Sequence, residues 1–372
     1  MKILIFHASA GHGHQKVAEV LRQTFLDRGF GPDEVILEDA LKSTPFFFRR
    51  IYPAAYFYAV KYAPALWGWF YETLDRPAVY RIFRSLRWIA NQMTGRNLLR
   101  RTLGQNADVI LSTHFFPAEL FASAKQRGTL KAHLITVITD FYPHTFWVNE
   151  GTDAYWVMGD EARQDLEKRG VSPGQIHTGG IPVDPRFQPS GRKYEILKRW
   201  NFDENRLTLL MTSGSFGLGP VAAILRALEN FQDRIQCFVV CGMNQALQKT
   251  LKGERFGFPI QVFDFIDFMS DLMEASDLVI AKSGGSTTAE TLVKGIPMIV
   301  MRPIPGQETR NATLLKQYNA AFFMEKPEQI KPIVQTVLNH PEILEAKKRQ
   351  IHRLAKPHAA DDLVSFVVKD LA

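Results

Sequence analysis

Short apolar runs rich in branched residues alternate along the chain with amphipathic stretches, a pattern that predicts βα units built around parallel sheets. The predicted strands are Lys2 to Phe6, Asp108 to Ser112, His133 to Ile138, Leu207 to Thr212, Ile235 to Cys241, Asp277 to Ala281 and Met298 to Met301. Several of these runs end in a Gly, Ser or Thr cluster that opens a helix. Loops at the carboxyl ends of parallel strands are where such folds bind ligands, so the chemistry is expected there. Gly and Pro cluster in GGIPVDPRFQPSGRK, from Gly179 to Lys193, between two strand-rich halves. The fold class is therefore α/β, with a first domain over 1–185 and a second over 186–345. The remaining stretch, 346–372, is expected as a helix packing back on the first domain.

Composition narrows the class. A chain of 372 residues with 46% hydrophobic and 22% charged residues has more apolar surface than one core usually organises, and it is no collagen, coiled coil or disordered tail. Cys237 and Cys241 are the only cysteines, so no disulfide framework or Cys-based metal site is expected and a reducing cytoplasm fits. The opening strand is too short for a signal sequence and is followed at once by AGHGH. The window Ile51 to Phe70 has spanning length but holds Pro53, Lys61 and Pro64, and it reads as surface-seeking.

The charge is local. From Lys42 to Arg101 there are eleven basic residues against only Glu72 and Asp75, more net positive charge than the +7 of the whole chain. Arg81, Arg84 and Arg87 lie among aromatic residues that include Trp67 and Trp69, a mixture that favours the headgroup zone of an anionic membrane. Peripheral attachment to such a surface is the preferred expectation. Two others stay open: a helical subdomain core with a solvated basic face, and contact with nucleic acid, although no nucleic-acid motif accompanies the segment and no such partner is expected.

Three segments carry candidate chemistry. In the first, Gly11, His12, Gly13 and His14 follow the opening strand and start an amphipathic helix, so His14 lies on a first turn where it would take a proton from a hydroxyl. The bland alternative is a His that only caps a loop. The second, Thr212 to Gly217, is another strand-to-helix Gly loop without the Lys of a P-loop. Phosphate cradling and a plain turn are both open there. The third is the most pointed: LVIAKSGGSTTAE, then MIVMRPIPGQETRN. Gly285, Ser286, Thr287 and Thr288 open a helix suited to a pyrophosphate. Glu290, one turn in, is placed for hydroxyls such as a ribose diol, and Gln307 and Glu308 start a further helix that would meet sugar hydroxyls. Helix capping by Ser and Thr is the alternative.

With these motifs the sequence resembles glycosyltransferase family 28 nearly end to end. The supporting segments are GHGHQKVAEVL, TDFYPHTFWV from Thr139, HTGGIPVDPRF, VVCGMN, FDFIDFM from Phe263, and KSGGSTTAE paired with PIPGQETRNA. PGQE and TDF look closer to the diacylglycerol glucosyltransferases and monogalactosyldiacylglycerol synthases than to the peptidoglycan lipid-intermediate branch. Ser283 stands where glycolipid members usually have Pro, as in the peptidoglycan branch, and TSGSFG differs from close relatives.

The resemblance implies a GT-B fold of two Rossmann-like domains and an inverting hexosyl transfer from a UDP-sugar to diacylglycerol or a related glycolipid. The alternatives are an N-acetylglucosamine transferase acting on a polyprenyl-linked lipid, and a non-catalytic nucleotide-sugar-binding membrane module. By position, Phe265 and Ile266 would hold uracil, Ser215 and the Ser286 to Thr288 turn the diphosphate, and Glu290 the ribose. Gln307 and Glu308 would contact the donor sugar, with Gly13 and His14 at the reacting end and His14 as base. Asp140 and His144 would orient the base or acceptor. No cofactor or metal is expected beyond the UDP-sugar substrate. The partners expected are that donor, a lipid acceptor and an anionic membrane, with the protein cytoplasmic and peripheral on the inner face of the cell membrane.

Overall fold

The computed structural model describes residues 1–9, 11–214, 217 and 219–371. Ala10, Ser215 and Phe216 of the predicted loops lie outside the described residues. The chain forms two compact units: 1–183 with 305–310 and 358–372, and 184–304 with 311–357.

The first unit runs β1 Ile3–His7, α1 His12–Asp27, β2 Val35–Asp39, α2 Phe46–Tyr62, α3 Pro64–Leu74, α4 Pro77–Leu103, β3 Val109–Ser112, α5 Phe115–Gln126, β4 His133–Val137, β5 Ala154–Val157, α6 Asp160–Lys168 and β6 Ile176–Thr178. The second runs α7 Lys193–Arg199, β7 Leu207–Thr212, α8 Val221–Ala227, β8 Ile235–Val240, α9 Gln245–Gly253, β9 Ile260–Phe263, α10 Met269–Glu274, β10 Leu278–Ala281, α11 Gly285–Lys294, β11 Met298–Met301, α12 Gln307–Gln317, β12 Ala321–Met324, α13 Ile330–Asn339 and α14 Glu342–Leu354. The first turn of α12 belongs to the first unit, as does the last helix, α15 Ala359–Asp370.

Each unit holds a six-stranded sheet, ordered β2-β1-β3-β4-β5-β6 and β12-β11-β10-β7-β8-β9, and all the pairings are parallel. Helices cover both faces of such sheets, so the inner strands are buried and mostly apolar. Every residue of β1, β3, β8, β10 and β11 is buried. The strands absent from the sequence prediction are β2, β5, β6, β9 and β12, four of them sheet edges. Edge strands bury less and are shorter or more polar: β2 is VILED with only Val35 buried, and β6 is the three residues IHT.

The expected tail helix from 346 to 372 is two helices. Leu344, Lys347, Ile351 and Leu354 of α14 are buried in the second unit, and Pro357 ends that unit. Only α15 returns to the first unit, where it packs on α1, with Arg28 bonded to Ser365 Oγ at 2.8 Å.

In each sheet the strand order reverses once, between β1 and β3 in the first and between β7 and β10 in the second. The carboxyl ends of these strand pairs are the places where open α/β sheets leave a crevice for ligands.

Candidate functional site

At the first reversal the imidazole of His14 is fixed by main-chain chemistry. Its Nδ1 lies 2.7 Å from the Thr113 carbonyl oxygen, which can only accept, so in the neutral ring Nδ1 carries the hydrogen and Nε2 is left with its lone pair. The Thr139 hydroxyl, after β4, is 2.9 Å from the same Nδ1. Thr113 also donates its own hydroxyl to the His14 carbonyl at 2.9 Å, tying the first turn of α1 to the end of β3. Desolvation lowers the His14 pKa to about 4, against which the Thr113 carbonyl pulls weakly upward. The ring is therefore neutral across the ordinary pH range. The glycines before it act differently from expectation: Gly11 is extended, with φ −167, and Gly13 is inside α1. Neither uses left-handed backbone, but a side chain at Gly11 would meet open space.

Asp140 follows Thr139 and is buried at 4% exposure. Its Oδ2 accepts from Trp147 Nε1 at 2.9 Å and its Oδ1 accepts from Gln307 Nε2. Burial raises its pKa to about 6, opposed by those two hydrogen bonds and by Arg310. The Trp147 ring in turn lies 6.0 Å from that of His14, and the His114 ring packs edge-on at 4.7 Å. Glu308 approaches Tyr56, whose hydroxyl is held protonated first by burial and then by the Glu308 and Asp140 carboxylates. The structure thus gathers His14, Asp140, Gln307 and Glu308 in one unit, from strands far apart in sequence.

His144 is not part of this group. Its Nε2 donates to the Tyr71 carbonyl at 3.0 Å and its Nδ1 accepts from the Phe146 amide at 3.1 Å. Both nitrogens are thus committed to the main chain, so the ring has no hydrogen bond left to offer a base or an acceptor directly.

At the second reversal, Gly284 caps α11 without a side-chain hydrogen bond, leaving the first-turn N–H groups open. Around it lie three buried hydroxyls without a hydrogen-bond partner: Ser213 Oγ after β7, and Ser286 Oγ and Thr288 Oγ1 on the first turn. Such groups are costly to leave unpaired, and with a positive helix end they are donors of the kind an anion would satisfy. The loop is held by Asn311 Nδ2, which donates to the Ser283 carbonyl at 2.8 Å. The far end of α11 is fixed by Gly295 at φ 76 and by the buried Lys294–Glu274 pair at 2.7 Å. Gly285 and Glu290 are buried, Thr287 is half-buried, and Phe265 and Ile266 lie on the loop after β9, with Phe265 exposed. Among the described residues no group of three His, Cys, Asp or Glu side chains is arranged to hold a metal ion.

The basic aromatic segment forms α2, α3 and α4. Nearly all the large apolar side chains left exposed lie between Phe46 and Met93; beyond that stretch only Tyr194, Met243 and Phe265 are so exposed among the described residues. Arg81 and Arg84 are exposed and Trp69 is 65% exposed. Arg87 and Trp67 depart from the expected surface role. Arg87 turns inward to pair with buried Glu119 at 3.1 Å and stacks 4.4 Å from Phe146, while Trp67 packs edge-on against Tyr56. No helix among the described residues is long and apolar enough to cross a membrane.

Sequence reasoning missed Thr113, Thr139, Trp147 and Tyr56. Thr139 and Trp147 had a signal, as members of the TDFYPHTFWV segment, and Thr113 and Tyr56 had none of that kind.

Residues 14–183 match the family model of monogalactosyldiacylglycerol synthase, and 208–363 match that of the glycosyltransferase family 28 C-terminal domain. A processive diacylglycerol beta-glucosyltransferase of Bacillus pumilus is 28% identical over 371 residues, covering 99% of this chain and 94% of that protein. MurG of Acinetobacter baumannii aligns in structure with TM-score 0.59 at 16% identity, over 99% of both chains. HepE of Anabaena, solved with UDP-glucose, aligns with TM-score 0.58 at 11% identity, over 99% of both chains. At such identities the structural likeness establishes the GT-B fold alone. The family matches divide the chain much as its two sheets do, and they carry the remaining step: the chain belongs to glycosyltransferase family 28.

Proposed function

We propose that this enzyme transfers a hexose from a UDP-sugar to diacylglycerol, or to a glycolipid grown from it, at the surface of an anionic membrane and with inversion at the anomeric carbon. The observation that carries the donor assignment is the trio of unpartnered buried hydroxyls, Ser213, Ser286 and Thr288, at the open end of α11. A diphosphate would satisfy all three. Diacylglycerol as acceptor is supported by the full-length likeness to the Bacillus pumilus diacylglycerol glucosyltransferase.

In this reading the acceptor oxygen attacks the anomeric carbon while the bond from that carbon to the diphosphate breaks. The hydroxyl proton passes to His14 Nε2, the nitrogen left free by the Thr113 carbonyl. Negative charge gathering on the leaving UDP meets the hydroxyls and N–H groups of α11, fixed donors of the kind that usually supply the largest catalytic effect. Phe265 and Ile266 flank the uracil, Glu290 takes the ribose, and Gln307 and Glu308 take the hexose. Arg81, Arg84 and Trp69 belong to the face that meets the lipid.

The direct test incubates the purified chain with each UDP-hexose and vesicles containing diacylglycerol and anionic lipid. A hexosyl-diacylglycerol, identified by mass, with UDP release that depends on the lipid is expected. Donor binding without product on any lipid acceptor would refute the reading.

The pH profile separates the two acid–base groups. Below about pH 6 Asp140 takes up a proton, loses its negative charge and accepts more weakly from Trp147 and Gln307, whereas His14 stays neutral down to about 4. The wild-type kcat/KM should therefore fall as the pH drops through about 6. In Asp140→Asn that limb should vanish between pH 5 and 7, at a lower overall rate. A limb that persists in the variant would reassign it.

A further inference from the structure

Residues 305–310, which carry Gln307 and Glu308, rest along one side of α3 within the first unit. Gly68 receives Pro305 so closely that a Cβ there would fall 2.2 Å from the proline Cβ. Three residues on, the Tyr71 ring lies against Gly306, which has φ +103, where a Cβ would approach the ring to 3.0 Å. Next, Arg310 makes a forked pair with Glu72, Nε to Oε1 at 3.1 Å and Nη2 to Oε2 at 2.8 Å. The same Nη2 reaches Asp75 Oδ2 at 2.8 Å, just past the end of α3. Asp75 is itself fixed by Arg169 through both oxygens, at 2.8 and 2.9 Å, and by the Thr145 amide at 2.7 Å. Gly68, Tyr71, Glu72 and Asp75 share one helix face, so the seat is a property of α3 as a whole.

We propose that Arg310 and Asp75 are positioning residues for the donor sugar: by locking the 305–310 segment onto α3 they set Gln307 against Asp140 and Glu308 toward Tyr56. The proposal rests on the assignment of Gln307 and Glu308 to the hexose. Neither Arg310 nor Asp75 touches the reacting atoms; each acts through the backbone between Gly306 and Arg310. Planar, forked pairing fixes direction as well as distance, and a lysine in place of Arg310 retains the charge but loses the fork. The seat has no part in holding the diphosphate, whose hydroxyls and N–H groups lie in the second unit.

The test compares wild type, Arg310→Ala, Arg310→Lys and Glu72→Gln, the last at a side chain about half exposed and therefore safe for folding. For each, the KM for the UDP-hexose is measured beside the inhibition constant of UDP. Arg310→Ala should raise the KM about tenfold or more and leave UDP inhibition within about twofold. Arg310→Lys and Glu72→Gln should fall between it and wild type. Parallel rises in both constants, or an unchanged KM in Glu72→Gln and Arg310→Ala, would overturn the proposal. A wild-type chain that turns over no UDP-hexose would instead remove the donor reading beneath it.

Discussion

Alanine at His14 is expected to lower kcat about 10²- to 10⁴-fold, the range typical for loss of a positioned general base. UDP affinity should be almost unchanged, because the groups proposed for the diphosphate, Ser213, Ser286 and Thr288, belong to the second unit. The imidazole is well suited to the task although its pKa sits near 4. Desolvation keeps it neutral, the Thr113 carbonyl keeps the proton on Nδ1, and Nε2 faces no competing hydrogen among the bonds described. The same desolvation that keeps the ring neutral makes it a weak base, and the Thr113 carbonyl is the influence that raises its affinity for the arriving proton. Steady-state rates with a saturating donor, alongside calorimetric titration with UDP, check the outcome. Turnover within threefold of wild type would remove His14 from the chemistry.

The second large effect is expected on the outer side of α4. Ile82, Leu86, Ile89 and Met93 recur at helical spacing and are 75%, 67%, 47% and 73% exposed. The opposite side, which packs on α5, is made of Asn91, Gly95, Leu98 and Thr102, with Asn91 donating to buried Glu119 and Gly95 directly against Leu120. The helix thus carries an apolar stripe outward, while its packed side is small or polar apart from Leu98, unlike an ordinary surface helix. Glutamate at Ile82, Leu86 and Ile89 together should leave the fold intact, since none of the three is buried. Burying such side chains is worth about 1.5–3 kcal/mol each, so losing even part of three contributions removes about 4 kcal/mol, or about 10³-fold in vesicle affinity. Replacing Arg81 and Arg84 by glutamine should cost less, about 1 kcal/mol each, and that loss should shrink as salt is raised. Vesicle sedimentation with and without salt distinguishes the two; unchanged binding in the triple variant would send the stripe back to ordinary surface.

What the sequence disclosed followed from what each signal encodes. Inner strands such as VILS and MIVM are legible because both faces are covered and nearly every position is apolar. Edge strands such as VILED and IHT are not, because partial burial permits polar residues. The placement of His14 and of Ser286 to Thr288 on first turns was legible from Gly beside a helical pattern. Partners were not. Nothing local distinguishes Arg87, spent on Glu119, from Arg81 and Arg84 on the surface, since a count of charges does not say which way a side chain turns. His144 shows the same limit: a histidine in a motif segment looks chemical until both its nitrogens are seen to be occupied. The Gln307–Asp140 bond joins residues 167 positions apart, a distance that no periodicity spans.

The return of α15 to the first unit bears on how the protein is made. Leu363, Val364 and Val367 are fully buried, and the Phe366 ring lies 4.2 Å from His177, so the first sheet's cladding is finished by residues translated only after the second sheet. While the ribosome is still producing the second sheet, the nascent first unit has an unfilled greasy slot beside α1 and is exposed to sticking. Recombinant fragments ending near Val183 inherit that slot permanently. Appending 358–372 through a flexible tether is the rational repair for anyone who wants that half by itself.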